Sequence, residues 1–304
     1  MDAYIKERMK EIGGEAILFD APMSQYTTFR VWGNVEAMYR CGNVEELKEM
    51  VAFLIDEGIP YLILGAGSNL LVRDGGLDGV AIVLDGSFAS IEDTNMAEPH
   101  IVAGAGLLLD KLVDLCTERG LAGVEFLAGI PGTVGGAVAM NAGSEGREIK
   151  DVIGEVTVLT RCGVVERRDR LGLSFTYRGL DLGMGEIVLN ARLNLKFDKP
   201  ASIRKRVMSR VKRRKDRFPL DMASAGSVFK NPEADHAGRL IDAVGLKGKR
   251  VGGARISPKH ANFIVSTGKA SASDIVALVD LAMAKVREIF GIQLIPEIKI
   301  VGKA

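Results

Sequence analysis

Between Gly129 and Gly143 five of fifteen residues are glycine, and small or β-branched residues flank them. Core packing does not account for so many missing side chains in one run. Glycine at such density lets a flat or extended ligand lie against bare backbone. A second glycine-bearing loop, Gly65-Ala66-Gly67-Ser68-Asn69-Leu70, follows the strand-like Tyr61-Leu62-Ile63-Leu64. A dinucleotide fingerprint fails there, because its third glycine position is Leu70 and Asp74-Gly75-Gly76 breaks the helix that should follow. What remains is a tight loop whose N–H groups, with Ser68 and Asn69, suit a pyrophosphate. Alone it reads as an ordinary turn; paired with the first loop it points to a large ligand bound mostly by main chain.

Composition narrows the class. Glycine makes up 36 of 304 residues, well above the usual 7% or so, with no collagen period. Lys and Arg total 40 against 39 Asp and Glu, so no global charge argues for nucleic acid or a membrane surface. The cysteines Cys41, Cys116 and Cys162 show no paired spacing, and only His100, His236 and His260 accompany them. That pattern fits a reducing cytoplasm and leaves no metal centre to expect. The start is charged from Asp2 onward and carries no apolar leader segment. The longest uncharged run, Phe126 to Ser144, is broken by glycines and Pro131, so it is not expected to span a membrane.

Periodicity predicts helices over 44–57 (cap Asn43, stop Gly58), 107–118, 235–244 and from the Ser271–Asp274 capping box to Gly291. Strands are expected at 61–64, at 80–84 and, alternating, over 151–198, and the chain ends on the strand-like Glu297–Val301. The class is α+β with more than one domain. Residues 202–217 differ from the rest, nine of the fourteen from Arg204 to Arg217 being Lys or Arg. Ile203, Val207 and Val211 form an apolar stripe, while Arg206, Arg210, Arg213 and Arg217 lie on another side. This reads either as a solvated linker helix or as a face for a phosphate-bearing ligand.

Several short motifs occur in a fixed order: Thr27-Thr28-Phe29-Arg30, the 65–71 loop, Gly129-Ile130-Pro131-Gly132-Thr133-Val134-Gly135-Gly136 and Tyr177-Arg178. Gly226-Ser227-Val228-Phe229-Lys230-Asn231-Pro232, Lys259-His260-Ala261-Asn262-Phe263 and Pro296-Glu297 follow. In that order the chain resembles the UDP-N-acetylenolpyruvoylglucosamine reductase family, bacterial flavoenzymes of peptidoglycan precursor synthesis, over roughly residues 20–302. It is similar to the family's shorter subclass, lacking an extra tyrosine-bearing loop. It departs from the family pattern at Val31-Trp32-Gly33, Gly179-Leu180 and Ser144-Glu145.

The resemblance implies a vanillyl-alcohol-oxidase-type FAD-binding domain of two α+β subdomains, 1–88 and 89–200. A basic linker helix and C-terminal UDP-sugar domain would follow over 201–297, with strand 298–304 returning to the first subdomain. It implies non-covalent FAD with NADPH as reductant, UDP-N-acetylglucosamine enolpyruvate as substrate, and a cytoplasmic monomer. The expected flavin contacts are Leu64, Gly65, Ala66, Gly67, Ser68, Asn69 and Leu70, then Gly129, Ile130, Pro131, Gly132, Thr133, Gly135, Gly136, Ala137, Asn141 and Gly143. Tyr177, Arg217, Lys230 and Asn231 would hold substrate, and Arg178, Ser227 and Glu297 would carry catalysis.

The chemistry suits those three. Hydride delivered to C3 of an enolpyruvyl ether leaves charge on C2 and the carboxylate, which a fixed guanidinium stabilises. A hydroxyl can then protonate C2 if neighbours lower the cost of its alkoxide, and a buried carboxyl can polarise or relay. Singly, a surface arginine, a turn serine and a lysine-paired glutamate explain these residues as well; the joint pattern favours catalysis. A generic FAD oxidase would lack Ser227 and Glu297, and a non-catalytic nucleotide binder would lack flavin.

Overall fold

The alternating apolar residues of 151–198 become the two central strands of an antiparallel sheet. A computed structural model of the chain, describing residues 1–92 and 98–304, shows it. In order across the sheet lie Val165–Asp169, Ile153–Leu159, Ile187–Asn194, His100–Gly104 and Ile91–Glu92. A four-stranded sheet holds Ile17–Pro22, Asn34–Cys41, Leu77–Leu84 and Tyr61–Leu64 in that order. Its last two strands are parallel, with Leu64 opposite Val83.

The chain divides into two compact units. One comprises Met1–Phe19, Ala37–Ala66 and Gly79–Lys212; the other comprises Asp20–Glu36, Gly67–Asp78 and Arg213–Ala304. The first unit's core includes Tyr39, Leu47, Met50, Leu112 and Phe126, all fully buried. The helix Val44–Asp56 presents Leu47, Met50, Val51 and Leu54 to that core and starts where Asn43 Oδ1 accepts the Glu46 N–H at 3.0 Å. The long basic helix runs Pro200–Arg217, with Ile203 buried and Val207 and Val211 packed against the same core.

In the second unit the strands Arg250–Val251, Ala254–Ile256 and Ile264–Ser266 form an antiparallel sheet that the helix Ala272–Phe290 covers. Ser271 and Asp274 form the expected capping box, and Gly291 ends the helix in the left-handed region at φ 68°. The strand Lys299–Val301 lies parallel to Leu70–Val72 in the same unit, Ile300 opposite Leu71.

That pairing changes the domain picture. Boundaries at 88 and 200 were expected, yet residues 20–36 and 67–78 cluster with the C-terminal part of the chain. The cause is packing: Phe29, Val31 and Leu71 belong to the core that also holds Phe229, Leu240 and Leu278. The terminal strand therefore returns to a segment that the C-terminal unit itself contains. The expected 89–200 subdomain also includes 93–97, which lie outside the described residues.

Candidate active site and cofactor cleft

At the C-terminal ends of the parallel strands Tyr61–Leu64 and Leu77–Leu84 the first unit opens into a cleft of about 420 Å³. Ligands of α/β sheets collect at such strand ends, and the volume is in the range of small-molecule sites. Leu64, Gly65, Ala66, Thr133, Gly135 and Gly136, all expected at the cofactor, line it. Missed by the sequence reading are Leu107, Leu108 and Lys111, the Leu84–Asp85 turn with Arg40, and Glu186 with Val188. No motif marks these residues, since strand pairing and the start of the helix Leu109–Glu118 bring them here.

The two glycine loops meet here. A Cβ on Gly65 would stand 2.7 Å from Thr133 Oγ1. Residues 134–139, read as open loop, form a six-residue helix capped by the Thr133 hydroxyl, which accepts the Gly136 N–H. Part of the glycine density is thus packing after all. A Cβ on Gly135 would lie 2.8 Å from that of Ala105, and one on Gly143 would lie 2.2 Å from the Arg147 carbonyl oxygen. At Gly136 the nearest atom to a Cβ would be Thr133 Oγ1 at 3.4 Å, so the glycine there is not forced by close packing.

Other expected contacts also have structural partners. Buried Asn141 donates from Nδ2 to Glu148 Oε2 and to the Thr176 carbonyl, both at 2.9 Å, and its Oδ1 accepts the Lys150 N–H. Its amide thus braces the hairpins around it. Ala137 is buried in the core. Gly129, Ile130, Pro131 and Gly132 stand outside the lining, while Gly67, Ser68, Asn69 and Leu70 belong to the second unit. There Gly67 adopts φ 61°, and a Cβ would fall 2.0 Å from the Tyr26 carbonyl oxygen.

Arg178 stands in the first unit on the tip of a hairpin, Phe175–Thr176 paired with Gly179–Leu180. Its φ is 61°, a conformation that non-glycine residues adopt at a cost and that clusters at functional sites. The guanidinium lies 5.2 Å from the centre of the half-exposed Tyr177 ring.

Ser227 and Glu297 stand on neighbouring segments of the second unit. The Glu297 N–H donates to the Val228 carbonyl at 2.7 Å, and Phe229 pairs with Pro296. Asn262 fixes the serine turn, accepting from the Phe229 N–H at 2.9 Å and donating to the Phe229 carbonyl at 2.8 Å. Asn69 Nδ2 donates to the Glu297 carbonyl at 3.1 Å. Nearby in sequence, Asn231 Oδ1 accepts the Ala237 N–H at 3.1 Å, so this oxygen anchors the helix Ala237–Ala243.

The four arginines expected on one phosphate face separate. Arg206 holds buried Glu125 through Nε at 3.0 Å and Nη2 at 2.7 Å, and also touches Asp198. Burial works to raise the Glu125 carboxyl, but hydrogen bonds from backbone N–H groups and Arg206 outweigh it and hold it low. Arg210 pairs with Glu145, so the family departure Ser144-Glu145 carries an ion pair and a 2.6 Å bond from Ser144 Oγ to the Phe126 carbonyl. In the second unit Arg217 lies 5.6 Å from the Phe218 ring, which packs with His260 and Phe263. Burial, then the Arg217 and Lys247 cations, push the His260 imidazolium down.

Comparison with known proteins finds two family models along the chain. The family model described as an FAD binding domain matches residues 35–168. The one described as the C-terminal domain of UDP-N-acetylenolpyruvoylglucosamine reductase matches 218–301. The reductase of that name from Syntrophus aciditrophicus is 44% identical, over 99% of this chain and 97% of the relative. That from Geobacter metallireducens is 42% identical over 96% of each. The crystal structure of UDP-N-acetylenolpyruvylglucosamine reductase from Thermus caldophilus aligns with TM-score 0.79 and 38% identity, over 93% of this chain and 97% of that one. An alkyldihydroxyacetonephosphate synthase, at 15% identity and TM-score 0.51, shares the fold over 65% of this chain.

Proposed function

The chain belongs to the UDP-N-acetylenolpyruvoylglucosamine reductase family, and we propose that it reduces UDP-N-acetylglucosamine enolpyruvate to UDP-N-acetylmuramate with NADPH. It is an oxidoreductase with an FAD-binding domain of the α+β class. The observation that carries the substrate assignment is 44% identity to a reductase of this name across 99% of the chain. In a cell this reaction supplies a peptidoglycan precursor, and a cytoplasmic monomer with non-covalent FAD is part of the reading.

The cleft fits the flavin dinucleotide by its apolar walls and the cationic side chains Arg40 and Lys111 on its lining. Leu64, Leu107 and Val188 give apolar walls, and the missing side chain at Gly136 leaves room for a flat, extended group beside them. Cys116, the family domain's buried cysteine nearest these loops in sequence, has its thiol pushed up to about 12 by burial and is no tether for a flavin. The bound flavin supplies the hydride that the substrate's C3 receives.

The chain's own residues deal with charge and proton. Arg178 holds the substrate carboxylate and the negative charge that spreads into it, its planar fork staying cationic throughout. Ser227 gives its hydroxyl proton to C2, and Glu297 stabilises the enolate or returns a proton to the serine. Tyr177, Arg217 and Lys230 contribute to substrate binding, while Arg206 and Arg210, on the same basic helix, are engaged with Glu125 and Glu145.

Anaerobic addition of NADPH to the purified protein should bleach its flavin absorbance, and UDP-N-acetylglucosamine enolpyruvate should restore it with a product two hydrogens heavier. Flavin that NADPH reduces but the enolpyruvate leaves reduced would point to a generic flavin oxidase.

A further inference from the structure

The helix Leu109–Glu118 begins against local rules. Its N-cap is Leu108, whose side chain makes no capping hydrogen bond and stays 43% exposed. Ser, Thr, Asp or Asn would cap it better. Three residues on, in the first turn, stands Lys111, where the helix dipole opposes a cation. The only acid of that turn, Asp110, accepts the Lys111 backbone N–H at 2.7 Å. Both misplaced side chains line the 420 Å³ cleft.

The cleft's other charges are already matched. Arg40 pairs with Asp85, and Glu186 receives Arg168 at 2.6 Å and the Gly183 N–H at 2.8 Å. Of the four charged side chains on the lining, Lys111 is the one outside any ion pair among the described residues. Its helix start is held rigidly beside the glycine loop: Leu109 N–H donates to Gly132 O at 3.0 Å and Val134 N–H to Leu107 O at 2.9 Å. Local violations that converge on one cavity are the expected mark of a function there.

We propose that Lys111 is a phosphate-binding residue for the flavin dinucleotide and that Leu108 packs on one of its planar rings. The assignment rests on reading this cleft as the flavin site. Helix stability is given up at two positions so that the cleft gains one cation and one apolar lip.

Flavin-free Lys111→Glu, Lys111→Gln, Lys111→Arg and Leu108→Ser proteins, with wild type, are titrated with FAD by quenching of flavin fluorescence. Lys111→Glu should raise the Kd about tenfold or more at low salt, Lys111→Gln less, and Lys111→Arg within about twofold. The gap between wild type and Lys111→Glu should narrow between about 50 and about 500 mM salt. Leu108→Ser should weaken FAD with no such salt dependence. Without flavin, Lys111→Glu and Leu108→Ser should melt no lower than wild type, because glutamate and serine suit those helix positions. A Lys111→Glu Kd within about twofold of wild type, or a gap insensitive to salt, would overturn the proposal. Wild type that binds no FAD would instead remove the flavin reading beneath it.

Discussion

Ser227 stands immediately before two residues whose backbone is tied, Val228 by Glu297 and Phe229 by Asn262. A backbone so fixed downstream limits where the serine hydroxyl can reach, and positioning of that kind favours an efficient general acid. Ser227→Ala should therefore leave NADPH-dependent bleaching of the flavin unchanged and slow its recovery with enolpyruvate substrate by about 10²–10⁴-fold. Stopped-flow absorbance separates the two phases in one preparation. Recovery at the wild-type rate would reduce Ser227 to a turn residue and move the acid to Glu297. Arg178 was legible as a residue type, but its left-handed backbone at φ 61° was not, because nothing in Tyr177-Arg178 announces it. Asn141 shows the reverse: its motif suggested a ligand, and tertiary contacts with Glu148 and Thr176 use its amide.

Among the elements, two helices with their own caps were legible from sequence, although the helix Ala3–Gly13, capped by Asp2, was not among those expected. Asn43 and the Ser271–Asp274 box mark helix starts that the structure reproduces, since capping is local chemistry. Two short elements among those missed show the reason. The six-residue helix Val134–Ala139 hides in a glycine run that propensity reads as loop, and Leu70–Val72 becomes a strand only because Lys299–Val301 pairs with it. The basic helix lies between these cases: its apolar stripe was readable, while the partners of its arginines come from residues 125 and 145. Arg206→Gln tests this anchoring. It strands Glu125, whose side chain is 9% exposed, and should cost about 1–3 kcal/mol of stability near neutral pH. That is below a fully buried pair, because the Arg206 side chain is 43% exposed and partly screened. Because the folded Glu125 carboxyl lies below its ordinary 4.5, its contribution is present above that pH and lost as pH falls through the folded value. Denaturant melts at about pH 7 and about pH 3 should show the gap between wild type and variant shrinking in acid. A gap that stays constant would mean that the pair's charge contributes nothing.

At the scale of the whole molecule the chain's last residues hold a segment more than 220 positions earlier, as the pairing of Ile300 with Leu71 shows. Arg73 N–H donates to Val301 O at 2.9 Å, Gly75 N–H to Lys303 O at 3.0 Å, and Lys303 N–H returns to Gly76 O at 2.9 Å. Each such bond contributes about 1 kcal/mol net, and buried Leu71 lies beneath them. The same segment caps the long C-terminal helix, Asp74 accepting from the Ala272 N–H at 2.7 Å and the Ser273 N–H at 2.9 Å. Burial alone would raise the Asp74 carboxyl, but the Ser273 hydroxyl and these N–H groups pull it lower overall. A chain ending at Ile298 would lose the terminal strand and leave this segment one-sided. Amide exchange of Arg73 and Gly75 should then speed up by orders of magnitude, because their carbonyl partners are gone. Amides of Ile153–Leu159, which belong to the other unit and its separate core, should keep their wild-type protection if the two units open independently. Equal loss of protection in both places would show instead that the chain unfolds as one cooperative body, with the terminal strand stabilising all of it.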